Sequence, residues 1–165
     1  MKTLESVSRR NFIATTGALA AGAMMNPLTS VSSSAWTADK KKRIAIVGTG
    51  SRAHGMWSKS VLEAYQDKVE FVGLCDINPG RVETFKKSTG FSCPTFTDFE
   101  KMMKEVKPDT LIVTTVDATH HEFIIRGMEL GANIITEKPM TTDEQKCEAI
   151  LEAEKKTGKK VTVTF

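Results

Sequence analysis

The most constraining feature is a short run of small residues placed directly after a buried apolar segment. Arg43-Ile44-Ala45-Ile46-Val47 is continuously apolar after its first residue, and Gly48-Thr49-Gly50-Ser51-Arg52-Ala53 follows it. A continuous apolar run this short reads as a strand covered on both faces. The glycine run fits the G-x-G-x-x-G/A pattern, in which each small residue has its own task. Gly48 permits a tight strand-to-helix turn, Gly50 leaves the backbone open to a diphosphate, and Ala53 lets the helix pack close to the strand. The free N–H groups of Ser51, Arg52 and their neighbours, with the positive end of the helix dipole, would face the phosphates. The pattern predicts a nucleotide site at the C-terminal edge of a parallel sheet.

The rest of the chain alternates in the way such a sheet requires. A first helix is expected over Arg52 to Tyr65 and a second strand over Val69 to Leu74. A short helix is expected over Arg81 to Ser88, and a weak third strand at Thr95-Phe96. Asp98 is placed to cap a helix running to Val106, and Pro108-Asp109 breaks the chain before a strand over Thr110 to Thr115. Thr119-His120-His121-Glu122 has the capping-box pattern, and Gly131 ends that helix. A fifth strand spans Asn133 to Thr136. Thr141-Thr142-Asp143-Glu144 caps a helix that stops near Gly158, and a sixth strand opens at Val161 and runs to Phe165. The expected class is α/β, a doubly wound parallel sheet of Rossmann type over residues 42–165.

Asp76 stands at the end of the second strand, 26 residues past Gly50. A carboxylate there accepts hydrogen bonds from ribose hydroxyls and repels a 2′-phosphate, so NAD is expected over NADP. Arg81 is close enough in sequence to soften that preference.

Residues 1–38 read as a targeting segment and are set apart from the fold. Ser8-Arg9-Arg10-Asn11-Phe12-Ile13 resembles a twin-arginine export motif. It is followed by a weakly apolar Ala/Gly stretch, too short to anchor in a bilayer, and by Ser33-Ser34-Ala35 as a cleavage site. A periplasmic or otherwise exported location is therefore expected, with no membrane anchor. The formal net charge is +3, of which Lys2, Arg9, Arg10 and Glu5 supply +2, leaving +1 for the rest. That balance argues against a nucleic-acid partner. Lys40 to Arg43 reads as a solvated lead-in to the first strand. The three cysteines, Cys75, Cys93 and Cys147, form no C-x-x-C pair. They read as small buried hydrophobes and not as a disulfide framework or metal site.

Three elements together resemble the glucose–fructose oxidoreductase/inositol dehydrogenase family, known as Gfo/Idh/MocA. They are the glycine loop with Asp76, the segment Thr115-Val116-Asp117-Ala118-Thr119-His120, and Glu137-Lys138-Pro139 after the fifth strand. The resemblance implies a two-domain enzyme that oxidises or reduces a sugar, cyclitol or 3-keto sugar with a nicotinamide cofactor. It implies that Lys138 lies by the nicotinamide and the reacting oxygen, that Glu137 is a neighbouring cofactor-side acid, and that Thr115 and His120 border the cofactor. Val116 stands where the family has proline, so the loop is expected to differ there. His121 blurs the assignment of His120, and His54 reads as a surface or packing residue.

The family's second α/β domain, which supplies most substrate contacts, is not in this sequence. The chain on its own is therefore expected to lack dehydrogenase activity. Any homo-oligomer would form through that second domain. Two other readings stand beside the oxidoreductase: a related NAD-dependent glycosidase, and a non-enzymatic nucleotide-binding fragment.

Overall fold

The computed structural model describes residues 40–165, so the twin-arginine motif and its cleavage site lie outside the described residues. Six strands form one all-parallel sheet: β1 (Lys42–Val47), β2 (Val69–Cys75), β3 (Thr95–Phe96), β4 (Thr110–Val113), β5 (Asn133–Thr136) and β6 (Val161–Val163). Their order across the sheet is β3-β2-β1-β4-β5-β6. The direction of winding reverses between β1 and β4, and a doubly wound sheet opens a crevice at that switch point.

The period of two along β1 shows why both faces must be covered. Ala45 and Val47 pack in one core with Leu111, Val113, Met102, Ile124, Met128 and Ile150. Ile44 and Ile46 pack in the other with Leu74, Val82, Phe85 and Phe91. The first core is closed by α4 (Phe99–Val106), α5 (His120–Glu129) and α6 (Glu144–Thr157), which supply Met102, Met103, Ile124, Met128, Ile150 and Ala153. The second is closed by α1 (Ser51–Met56) and α3 (Pro79–Thr89), through Ala53, Val82 and Phe85. Ile46, Leu74, Leu111 and Ile112 are fully buried, each contributing about 1.5–3 kcal/mol of transfer free energy.

Several expected caps form. Asp98 accepts from the Lys101 amide, and Asp143 from the Lys146 amide, both at 2.9 Å. Asn78 caps α3 with Pro79 at its first turn, which starts that helix two residues earlier than expected.

Other expectations are corrected. The helix expected from Arg52 to Tyr65 is two helices, α1 and α2 (Lys59–Tyr65). The Ser58 hydroxyl donates to the His54 carbonyl, and Ser58 itself has φ −95° and ψ −107°, outside helical space. Side-chain competition of this kind interrupts the backbone ladder. The capping box at Thr119 does not form. A 3₁₀ turn over Asp117–Thr119 leads into α5, so Thr119 has helical backbone angles, and its hydroxyl donates backwards to the Val116 carbonyl and the Thr115 hydroxyl. β4 ends at Val113, and the Thr114 hydroxyl beyond it donates to the Gly48 carbonyl. β6 ends at Val163, and Phe165 is fully exposed. Cys75 and Cys93 are buried as expected, whereas Cys147 is only partly so. Arg43 is not merely a solvated lead-in: its amide donates to Asp109 and its guanidinium to the Val106 carbonyl.

Among the described residues no helix is long and apolar enough to cross a membrane. No group of three or more His, Cys, Asp and Glu side chains there could hold a metal ion.

Candidate functional site

The C-terminal ends of β1, β2 and β4 open onto a cleft of about 500 Å³. Gly48, Gly50, Ser51, Arg52, Asp76, Arg81 and Thr115 all line it. Residues from three separate loops therefore meet at the switch point.

The glycines divide their work. Gly48 has φ +87°, and a Cβ there would lie 2.6 Å from the Thr114 carbonyl carbon and oxygen. Both the turn and the approach to β4 thus require glycine. Gly50 is different: a Cβ there would meet nothing within 4 Å. The protein does not need glycine at that position for its own packing, which leaves the space for something approaching from the cleft. No side chain caps α1 at Gly50, so its first-turn amides are uncommitted to a capping group. That helix is one short segment and not the long helix expected.

Asp76 is 4% exposed and well anchored. Its Oδ2 accepts from the Thr49 amide at 2.8 Å and the Thr49 hydroxyl at 2.9 Å, and its Oδ1 accepts from the Asn78 amide at 2.9 Å. Arg81 Nη1 is 3.8 Å from Oδ2, with the Arg81 side chain 56% exposed. Thr49, fully buried, braces the carboxylate and does not line the cleft. Ala53 is also fully buried and packs beneath the loop. Cys75 precedes Asp76, and burial, then the negative charges of Asp76 and Asp98, push its thiol up to about 12.

The loops after β4 and β5 are tied together by His120, which is 1% exposed. Its Nδ1 lies 2.9 Å from the Pro139 carbonyl oxygen and its Nε2 3.1 Å from the Thr115 carbonyl oxygen. His120 therefore sits behind the cleft as a clasp between loops. His121 does not share this place, and its Nδ1 is buried with no hydrogen-bond partner among the described residues. His54 packs edge-on against Phe85 with ring centres 4.6 Å apart, as a packing residue should. Val116 has φ −77° and ψ 143°, angles that proline also adopts, so the substitution leaves the loop path open to the same conformation.

Glu137 is buried at the end of β5. Arg52 Nε donates to its Oε2 at 3.1 Å, a second guanidinium nitrogen donates to the same oxygen, and Trp57 Nε1 donates to Oε1 at 2.9 Å. Burial acts to raise the Glu137 carboxyl, but the Arg52 and Trp57 donors, with a smaller contribution from Thr164, outweigh it and hold the group below the usual range. Trp57 is the residue that motif reading misses. It belongs to no pattern, and only the break between α1 and α2 brings it here. Lys138, next in the chain, is exposed and lies outside the cleft lining, as do His120 and Glu137.

The family model for the Gfo/Idh/MocA oxidoreductases, described as an NAD-binding Rossmann fold, matches residues 42–165. The chain belongs to this family. Among relatives, it is 38% identical over 128 residues to YteT, an oxidoreductase-family protein of Bacillus subtilis, covering 75% of this chain and 30% of that protein. It is 32% identical over 128 residues to glycosyl hydrolase family 109 protein 1 of Akkermansia muciniphila, covering 72% of this chain and 26% of that one. Among solved structures, the WlbA dehydrogenase of Chromobacterium violaceum, in complex with NADH and UDP-GlcNAcA, superposes with a TM-score of 0.70. That match has 29% identity and covers 78% of this chain and 36% of that one. The Gfo/Idh/MocA chain described here thus spans about a third of the length of its relatives, or less.

Proposed function

We propose that this Gfo/Idh/MocA domain holds the nicotinamide cofactor of an exported oxidoreductase that acts on a sugar, cyclitol or 3-keto sugar. The observation that carries the reading is Asp76. A buried, three-times-bonded carboxylate faces the same cleft as the Gly48–Ser51 loop.

The residues suit a dinucleotide. The open space at Gly50 and the uncapped amides of α1 would receive the diphosphate. Asp76 would accept from the adenosine ribose hydroxyls, with Arg81 at its side. Ile77 is 89% and Val116 69% exposed near this cleft, and they offer apolar cover to a flat ring. NAD is favoured over NADP because Asp76 presents negative charge where a 2′-phosphate would sit. When bound, the nicotinamide supplies the hydride acceptor or donor. Lys138 would donate a hydrogen bond to the substrate oxygen and stabilise its developing charge. Positioning the substrate carbon falls to the family's second domain.

Calorimetry with NAD and NADP tests the cofactor reading. Asp76→Ala removes a charge-assisted acceptor, which is worth about 1.5–3 kcal/mol, and should weaken NAD while narrowing the preference. Equal NAD affinity in both proteins removes Asp76 from the site. In the full-length enzyme, Lys138→Met should slow hydride transfer and leave NAD affinity nearly intact. Export rests on Ser8-Arg9-Arg10-Asn11-Phe12. Changing both arginines to lysine should block translocation, and unchanged export rejects the twin-arginine route.

One observation favours a second reading. A relative carries a glycosyl hydrolase name, and a glycosidase of this family would oxidise and re-reduce its sugar with bound NAD. Turnover without net NADH formation identifies it.

A further inference from the structure

Glu137 and Lys138 are adjacent and oppositely charged, yet they do not pair. The Glu137 carboxylate is bound by Arg52 and Trp57. The Lys138 side chain is exposed and makes no ion pair or hydrogen bond among the described residues. Arg52 comes from the first turn after the glycine loop and Trp57 from the break between α1 and α2. Both reach the end of β5, two strands away from β1. Arg52 keeps a half-exposed side chain to do so, while the carboxylate it holds is buried.

We propose that Arg52 and Trp57 are positioning residues that act through Glu137: they sequester its carboxylate and so leave the Lys138 ammonium unpaired for a substrate oxygen. A buried carboxylate cannot remain without a partner. Without Arg52, the cation next along the chain is Lys138. A lysine already bonded to a carboxylate has fewer donors to offer and a charge that is partly neutralised. Trp57 contributes direction, since its single N–H fixes Oε1 while the guanidinium fixes Oε2. The break in the helix, which costs backbone hydrogen bonds, puts that indole within reach. The inference rests on the nicotinamide reading only for the use to which the free ammonium is put.

The test needs no cofactor. The full chain is treated with a limiting amount of an acetylating N-hydroxysuccinimide ester, and acylation of each lysine is followed by mass spectrometry, with exposed Lys155 as the internal standard. Arg52→Gln should slow Lys138 relative to Lys155 by about 1.5- to fivefold, the effect of one exposed ion pair. Trp57→Phe should act in the same direction, and it carries the test if Arg52→Gln does not fold. Adding Glu137→Gln to either variant should restore the wild-type rate, which a merely loosened loop would not do. An unchanged or faster Lys138, or a slowing that survives Glu137→Gln, overturns the proposal. Loss of NAD binding in calorimetry would sink the nicotinamide reading instead, and would leave this result untouched.

Discussion

Thr49 and Asp76 form a two-point contact between the first and second loops of the sheet. The Thr49 amide and hydroxyl both donate to one carboxylate oxygen, at 2.8 and 2.9 Å, in a fully buried setting. The glycine loop and the acid that lines the cleft are therefore tied into one unit. Thr49→Val keeps the shape and the amide bond but removes the hydroxyl. It should cost about 1.5–3 kcal/mol, the range for a hydrogen bond to a charged group, while Thr49→Ser should stay close to wild type. Urea unfolding measures both, and a Val variant as stable as wild type would show that the hydroxyl contributes nothing.

His120 predicts a second, separable loss. Its two ring nitrogens face two carbonyl oxygens, of Pro139 and Thr115, and neither carbonyl can donate in return. Replacing His120 with Leu removes the ring donor from these part-buried carbonyls, at about 1 kcal/mol, the net worth of one hydrogen bond. The loops after β4 and β5 should then exchange their amide hydrogens faster than the β1–β2 core. Uniform exchange across the sheet would contradict a local clasp.

Glu137 predicts a dependence on pH. Its carboxyl is held below the usual range in the folded chain, so the folded state favours the ionised form. The sign follows from linkage: the contribution is complete above the unfolded carboxylate value of about 4.3 and is lost as pH falls from there through the folded value. Unfolding free energies of wild type and Glu137→Gln should differ most near neutrality and converge in acid. A gap that stays constant from neutral to acid pH would mean that the ionisation of Glu137 has no part in the stability.

The cysteines predict a labelling order. Burial, first of all, pushes the Cys93 thiol up to about 11 and Cys75 to about 12, so few thiolates form at neutral pH. Cys147 is more accessible. Iodoacetamide should modify Cys147 in the native chain and reach the other two only on unfolding. Early modification of Cys75 would show that the loop carrying Asp76 opens readily.

What the sequence by itself determined was whatever depends on neighbours along the chain. The buried run before Gly48, the acid after Val69–Cys75, the Asp98 and Asp143 caps and the alternation of strand and helix all follow from local periodicity and turn chemistry, and the parallel sheet with its cleft follows from them. The tertiary structure decided what depends on groups distant in the chain competing for the same partner. Thr49 stands in the middle of the glycine motif, yet its hydroxyl is claimed by Asp76, 27 positions away. Thr119 reads as a helix cap, yet its hydroxyl is satisfied one turn earlier. Trp57 carries no pattern at all, and it matters only because β5 delivers Glu137 to its indole, 80 positions away. A hydrogen-bond donor settles on the best-placed acceptor, and for buried groups the packing of the sheet, not the order of the residues, chooses which acceptor that is.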